Sequence, residues 1–146
     1  DQVQDFVIPE HLPAGMNRQA IVRARVNQSF FRKMVLAAYD GRCCITGLPL
    51  PELLVASHIV PWAADPANRM NPRNGLCLNA LHDRAFDTGL IAIDDTFRVM
   101  LSPKVRRLES DDAHLLRDFE GRRITLPRRF VPDQTLLARH RREVFG

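Results

Sequence analysis

Apolar residues in the first third of the chain recur at the spacing of an amphipathic helix. Between about Arg18 and Tyr39 they fall three or four positions apart. They are Ile21, Val22, Val26, Phe30, Phe31, Met34, Val35 and Ala38. An Asp-Gly pair follows at once, and glycine commonly stands just beyond the last helical turn. The pattern predicts a long helix over 18–39, preceded by an irregular, proline-containing arm over 1–17.

The middle of the chain alternates short apolar runs with polar loops. The run LLVASHIV, residues 53–60, is rich in branched side chains and stops at Pro61, which predicts a strand. A loop rich in Asn, Pro and Asp follows over 63–73. NGLCLN, residues 74–79, then predicts a second short strand, and ALHDRAFD, residues 80–87, predicts a short helix.

The last third of the chain contains a further hairpin pattern and two helical patterns. LIAIDDTFRVMLS, residues 90–102, has two alternating runs around an Asp-Thr turn and predicts a β-hairpin. Residues 104–119 predict a helix, and GRRITLP, residues 121–127, predicts a short strand. A closing helix is expected over 132–145, with proline near its start. The order of elements predicts an α+β fold in one domain over 18–146.

Composition places the chain among ordinary globular proteins and excludes several classes. With 146 residues, 45% of them hydrophobic, it is long enough to bury a core. Its three cysteines form no C-x-x-C pair, which argues against a disulfide framework and a cysteine zinc site and favours a reducing cytoplasm. No apolar run approaches the ~20 residues that span a bilayer, so no membrane association is expected. The chain begins with Asp1 rather than Met, which leaves room for a domain ahead of it.

The charge of the chain is modestly positive, and arginine supplies nearly all of it. The formal net charge is +4, and only Lys33 and Lys104 among the 21 basic residues are lysines. Arginine suits bidentate contacts with phosphate. Eight arginines crowd the last thirty positions: Arg117, Arg122, Arg123, Arg128, Arg129, Arg139, Arg141 and Arg142. Either a nucleic-acid surface or a solvated basic surface explains them.

Three residues of the middle third stand where predicted elements meet. His58 lies near the end of the first strand, Asn74 opens the second, and His82 lies on the helix that follows. Taken singly, each has an ordinary explanation: a core histidine, a turn residue before glycine and a surface helix residue. Their shared position, where strand, loop, strand and helix meet, raises the alternative that the three residues form one site.

This arrangement of strand, loop, strand and helix resembles the HNH motif of the ββα-metal nucleases, and most closely the restriction-type branch of the HNH endonuclease family. The resemblance rests on CCITG (43–47), ASHIVPW (56–62), NPRNGLCLNALHDRAFDTGLIAID (71–94) and LLARHRREVF (136–145). It implies a ββα-metal core over about 53–88. An added β-hairpin and flanking N- and C-terminal helices would complete the fold.

The resemblance also implies a reaction, the metal-dependent hydrolysis of DNA phosphodiester bonds. His58 would be the general base that activates water, since an imidazole titrates close to neutral pH. Asn74 would orient that imidazole and brace the loop between the strands. His82 would hold a divalent ion that acts as a Lewis acid.

The chain departs from the fuller family pattern in its metal ligands. Many HNH enzymes have an acidic residue or histidine just before the base, where this chain has Ser57, and a phenylalanine stands one turn past His82. Asp83 and Asp87 share a helix face, although not the one centred on His82. Asp87 is the expected second ligand, the alternative being a cap or turn residue before the next glycine. So few ligands favour Mg²⁺, with Mn²⁺ or Zn²⁺ as alternatives.

Contacts with double-stranded DNA are predicted near the base. Arg69 and Arg73 in the loop, and Trp62 after the first strand, are placed to meet a phosphate backbone, although Trp62 suits a core equally well. No base-reading helix is evident, so sequence specificity would come from a homodimer or a further domain. Two alternatives stay open: a non-catalytic nucleic-acid-binding module on an HNH scaffold, and an interaction domain whose arginines meet an acidic protein.

Overall fold

The computed structural model describes residues 18–61 and 63–146, so the predicted arm over 1–17 and Trp62 lie outside the described residues. The helices are α1 (Arg18–Ala38), α2 (Ala80–Asp87), α3 (Pro103–Arg106), α4 (His114–Arg117) and α5 (Gln134–Glu143). The strands are β1 (Leu54–His58), β2 (Gly75–Asn79), β3 (Ile91–Ile93) and β4 (Val99–Leu101). This mixture of helices and two small antiparallel sheets confirms the predicted α+β class.

Strands β1 and β2 and helix α2 form a continuous ββα unit. The two strands pair antiparallel, with Leu54 opposite Asn79 and His58 opposite Gly75. Every residue of β2 is buried. Helix α2 begins directly after β2, because the Asn79 side chain accepts a hydrogen bond from the His82 backbone N–H and so caps its first turn.

Helix α1 packs across this sheet through its carboxyl-terminal half. Phe31 and Val35 are buried there, 2% and 0% exposed. A Cβ added to Gly75 would lie 2.5 Å from Val35 Cγ2 and 2.9 Å from Phe31 Cζ. Because Gly75 has no side chain, α1 can pack closely on β2 at the position paired with His58.

The amino-terminal half of α1 lies at the surface. None of residues 18–30 is buried. The apolar side chains of Val22, Val26 and Phe30 are 52%, 61% and 51% exposed. The apolar spacing that predicted the helix is therefore the same along its whole length, but the residues that it buries in the core are found only from Phe31 onward.

The predicted β-hairpin is present as β3 and β4, with Ile91 opposite Leu101. Its turn depends on Asp94, whose Oδ1 accepts hydrogen bonds from the backbone N–H groups of Thr96 (2.8 Å) and Arg98 (2.9 Å). The strand predicted over 121–127 is wrong in extent. That segment makes one isolated bridge to Arg98 rather than a regular ladder.

The single helix predicted over 104–119 is also wrong, because the structure divides it into α3 and α4. The polar segment between them contains Ser110, whose Oγ accepts a hydrogen bond from the Asp112 backbone N–H. Short polar side chains compete in this way for the backbone groups that a helix would use.

The closing helix α5 returns to the core. Leu136 and Leu137 are buried, and His140 Nε2 lies 2.8 Å from the Phe86 carbonyl oxygen on α2. The predicted closing helix is therefore present, beginning two residues later than expected. Among the described residues no helix is both long and apolar enough to cross a membrane.

Candidate active site

His58 stands at the end of β1 with its ring held from two sides. The imidazole stacks on the Phe31 ring of α1, with 4.0 Å between centroids and 10° between planes. His58 Nε2 lies 3.0 Å from the Arg69 carbonyl oxygen. A carbonyl only accepts hydrogen bonds, so Nε2 carries the proton and Nδ1 carries the lone pair. The ring is thus fixed in both orientation and tautomer.

The surroundings of His58 also set its charge. Burial lowers its pKa below the ordinary value of 6.5, and the hydrogen bond to the Arg69 backbone opposes part of that shift. A lowered pKa leaves the imidazole neutral at pH 7. His58 can therefore accept a proton under neutral conditions.

Asn74 organises the loop that follows His58. It is 1% exposed. Its Oδ1 accepts from the Val60 backbone N–H (2.9 Å), and its Nδ2 donates to the carbonyl oxygens of Val60 (3.1 Å) and Asn68 (3.2 Å). These two bonds use both amide protons. The predicted contact with the His58 ring is made instead by the carbonyl of Arg69, the residue after Asn68, so Asn74 reaches the imidazole through the loop.

A cavity of about 460 Å³ opens beside His58. Strand β1 and Pro61 form one side of it, and Asp83 and Asp87 of α2 form the other. The two aspartates face β1 together because they lie four residues apart on the helix. The tertiary structure therefore brings two carboxylates and a neutral imidazole to one cavity.

The chemistry of this cavity suits a divalent cation. Burial raises the pKa of Asp87, and the neighbouring charge of Asp83 raises it further, while Arg84 lowers it. Ser57 Oγ is buried and has no hydrogen-bond partner among the described residues. Carboxylate and hydroxyl oxygens are hard donors, and a cation would offset the repulsion between the two carboxylates.

The protein ligands available here are few. Within residues 18–61 and 63–146, no group of three or more His, Cys, Asp or Glu side chains is arranged to hold a metal ion. An ion at Asp83 and Asp87 would therefore complete its coordination shell with water. Magnesium commonly keeps several waters in this way.

His82 is turned away from the cavity. It is 2% exposed, its Nδ1 lies 3.1 Å from Asn79 Oδ1, and its ring meets Phe119 edge-on with 5.4 Å between centroids. Burial lowers its pKa. Successive helical residues are about 100° apart, so His82 shares the core face with Phe86 while Asp83 turns towards β1. The structure brings Asp83 and Asp87 to the cavity and leaves His82 outside it, and the ligand roles predicted for Asp87 and His82 stay predictions.

The predicted DNA-contacting residues have mixed surroundings. Arg69 is half-buried and supplies the carbonyl that holds His58. Arg73 is exposed, and its Nη1 donates to the Val131 carbonyl oxygen at 3.3 Å. Trp62 lies outside the described residues. Contacts of Arg69, Arg73 and Trp62 with DNA therefore stay predictions.

Sequence reasoning missed three contributions to the site. Phe31 has the spacing of an ordinary core residue, and the Arg69 contribution is a backbone carbonyl, so neither produces a recognisable pattern. The third is Asp83, for which a signal was present, because its spacing of four from Asp87 places both carboxylates on one face of the helix.

Comparison with known proteins agrees with this geometry. Residues 43–94 match the family model described as HNH endonuclease. No curated protein matches the chain significantly. A solved structure titled "Modification dependent TagI restriction endonuclease" superposes with a TM-score of 0.55, at 19% identity over 80% of this chain, while the chain spans 38% of that protein. These findings show that the segment carrying His58, Asn74 and α2 is similar to the HNH endonuclease family and that the fold is shared with a restriction endonuclease.

Proposed function

We propose that the protein is an endonuclease that hydrolyses phosphodiester bonds of double-stranded DNA, with a divalent ion as cofactor and His58 as general base. One observation carries the proposal: a neutral imidazole of fixed tautomer borders the same cavity as the carboxylates of Asp83 and Asp87. The match to the HNH endonuclease family over 43–94 supports the same conclusion.

His58 would transfer the proton of the attacking water. Its Nδ1 accepts the proton while the water oxygen forms a bond to phosphorus and the bond from phosphorus to the leaving O3′ breaks. The leaving oxygen then takes a proton from solvent water. The hydrogen bond from Nε2–H to the Arg69 carbonyl strengthens as the ring becomes positive, which stabilises the charged imidazole.

We assign the divalent ion to Asp83 and Asp87, which line the cavity beside His58, rather than to His82. When bound, such an ion neutralises charge on the phosphate and on the leaving oxygen. The oxygen donors favour Mg²⁺ or Mn²⁺ over Zn²⁺, which prefers nitrogen and sulfur. The resemblance to HNH nucleases, which generally use a divalent metal, supports a divalent ion here, although it implies His82 rather than the two aspartates as the ligand.

Cleavage of supercoiled plasmid with Mg²⁺, Mn²⁺ or EDTA tests the reaction. His58→Ala should reduce metal-dependent nicking by at least about a hundredfold, the usual contribution of a positioned base. His114→Ala is the matched control, because His114 is exposed on α4 and should leave the rate unchanged. Since the solved relative is titled modification dependent, plasmids with and without modified bases are compared. Binding without cleavage of either substrate would favour the non-catalytic module.

Calorimetric titration with Mn²⁺ tests the ligand assignment. Asp83→Asn and Asp87→Asn should each weaken Mn²⁺ binding by about tenfold or more, while His82→Gln should bind as the wild type does. Circular dichroism checks that each variant is folded. If folded His82→Gln loses Mn²⁺ binding and the two asparagine variants keep it, the ion belongs at His82.

A further inference from the structure

Helix α1 carries five basic residues and no acidic residue, and three of the five form a ridge. The basic residues are Arg18, Arg23, Arg25, Arg32 and Lys33. Arg18, Arg25 and Arg32 are seven positions apart, and seven residues at 100° each return to within about 20° of the same direction. Arg23 lies about 160° around the helix from Arg25. The helix therefore has one arginine ridge and a separate arginine on its other side.

One end of this ridge lies beside His58. A second cavity, of about 270 Å³, is lined by Gln28, Phe31 and Arg32 of α1 together with His58 and two residues of β1. Those two residues and His58 also line the carboxylate cavity. The imidazole thus stands between an acidic wall on α2 and a wall on α1 that contains an arginine.

Arg32 is a fixed end of the ridge. Its Nη2 donates to the Pro51 carbonyl oxygen at 2.9 Å, and its Nη1 donates to the carbonyl oxygen of Leu54 at the start of β1. These bonds use two of the five N–H donors of the guanidinium. They hold its charge beside the His58 cavity.

The other end of the ridge lies in solvent. Arg18 and Arg25 are exposed, on the half of α1 that has no buried residue. From Arg18 to Arg32 the helix advances about 21 Å at 1.5 Å per residue. That length corresponds to about six base pairs of DNA at 3.4 Å each.

We propose that the ridge of Arg18, Arg25 and Arg32 binds the phosphate backbone of the DNA strand that enters the cavity beside His58. This rests on the proposed function. If the scissile phosphate lies next to His58, the neighbouring phosphates of the same strand would lie along α1. Arginine forks suit phosphate oxygens, and no carboxylate on α1 opposes them. Such contacts position the duplex without reading its sequence. The continuity with the His58 cavity favours DNA over an acidic protein.

Salt-dependent binding of a fluorescent duplex of about 20 base pairs, measured in EDTA with the whole protein, tests the ridge. Arg25→Gln should reduce the slope of log affinity against log salt by about one, and Arg18→Gln/Arg25→Gln by about two. Arg23→Gln, on the same helix and also exposed, is the matched control and should keep the wild-type slope.

The outcomes separate the ridge from the reaction. If both ridge variants keep the wild-type slope of log affinity against log salt and still cleave plasmid, the proposed phosphate contacts of the ridge are wrong and the proposed function stands. An equal loss in Arg23→Gln and Arg25→Gln would also overturn it, because general charge would then explain binding. A wild-type protein that neither binds nor cleaves any DNA would overturn both proposals.

Discussion

At the scale of single residues, His58 depends on groups that are chemically ordinary. A backbone carbonyl sets its tautomer, and a phenylalanine ring sets its orientation. Asn74 acts further away, since its amide bonds Asn68, and the next residue supplies the carbonyl. The proposed base is therefore positioned by the path of a loop, and changes in that loop should affect it.

The rate of cleavage should depend on pH through His58. Burial lowers its pKa below 6.5, so the basic, neutral form predominates at pH 7 and is lost only in mild acid. Single-turnover cleavage should therefore be level near neutral pH and should fall as pH drops below 6.5 towards the lowered pKa. Residual cleavage by His58→Ala should lack this fall. A wild-type rate that stays level throughout the acid range would contradict the role of His58.

Replacing Asn74 with alanine should destabilise the protein. The change leaves two buried backbone groups of Val60 and the half-buried carbonyl of Asn68 without their partner, which costs about 2–4 kcal/mol of unfolding free energy. Urea denaturation measures the loss. Asn27→Ala, at an exposed position of α1, is the control and should change stability by less than about 0.5 kcal/mol. Similar stabilities for both variants would show that the Asn74 bonds contribute little.

At the scale of elements, α2 presents one face to the cavity beside His58 and another to the hydrophobic core. Asp83 and Asp87 turn to the cavity, while His82 and Phe86 turn to the core. Asn79 fixes the start of the helix, and its Nδ2 also donates to Thr46 Oγ1 at 3.3 Å. The rotation of the helix therefore decides which side chains reach the cavity.

The packing of α1 on β2 should couple helix position to activity. In Gly75→Ala the added Cβ would overlap Val35 and Phe31, and overpacking of this kind costs about 1–3 kcal/mol. Phe31 stacks on His58, so plasmid cleavage should fall at temperatures where the variant is still folded.

The control for this prediction is Gly41→Ala. A Cβ there meets nothing within 4 Å, and the only cost is a positive φ of 65°. That variant should lose some stability, measured by thermal unfolding, and keep its cleavage rate. If folded Gly75→Ala cleaves as fast as the wild type, the close approach of α1 does not position His58.

At the scale of the whole molecule, three buried or half-buried histidines each stack on or meet a phenylalanine ring from another part of the chain. His140 of α5 stacks on Phe86 of α2, with 3.7 Å between centroids and 2° between planes. Burial lowers the pKa of His140, as it does for His58 and His82. Each of these histidines must be neutral in the folded protein near pH 7.

The protein should therefore lose stability in mild acid. Below 6.5, the ordinary histidine pKa, the unfolded chain binds protons that the folded chain does not, so the unfolding free energy declines from pH 6.5 down to the lower folded pKa values. Urea midpoints across this range measure the decline. His140→Gln keeps a donor for the Phe86 carbonyl and should show a shallower decline. If the unfolding free energy of His140→Gln declines as steeply in acid as that of the wild type, His140 does not contribute to the acid sensitivity.

Much of the architecture could be predicted from local patterns. The bounds of α1, the ββα unit, the hairpin and α5 follow from apolar periodicity and from Gly, Pro and Asn punctuation. The single helix over 104–119 was wrong, because the Ser110 side chain accepts a hydrogen bond from the Asp112 backbone N–H and so competes with helix formation, which apolar spacing does not reveal.

The sequence by itself determined the α+β class, the resemblance to HNH endonucleases and the placement of His58 at a strand end. Only the tertiary structure decided which groups surround that imidazole. A helical rotation of about 100° separates Asp83 from His82, and that rotation is set by packing of His82 and Phe86 in the core. The Phe31 ring and the Arg69 carbonyl reach His58 from distant positions of the chain. Such contacts depend on how the elements pack, and no spacing along the sequence encodes them.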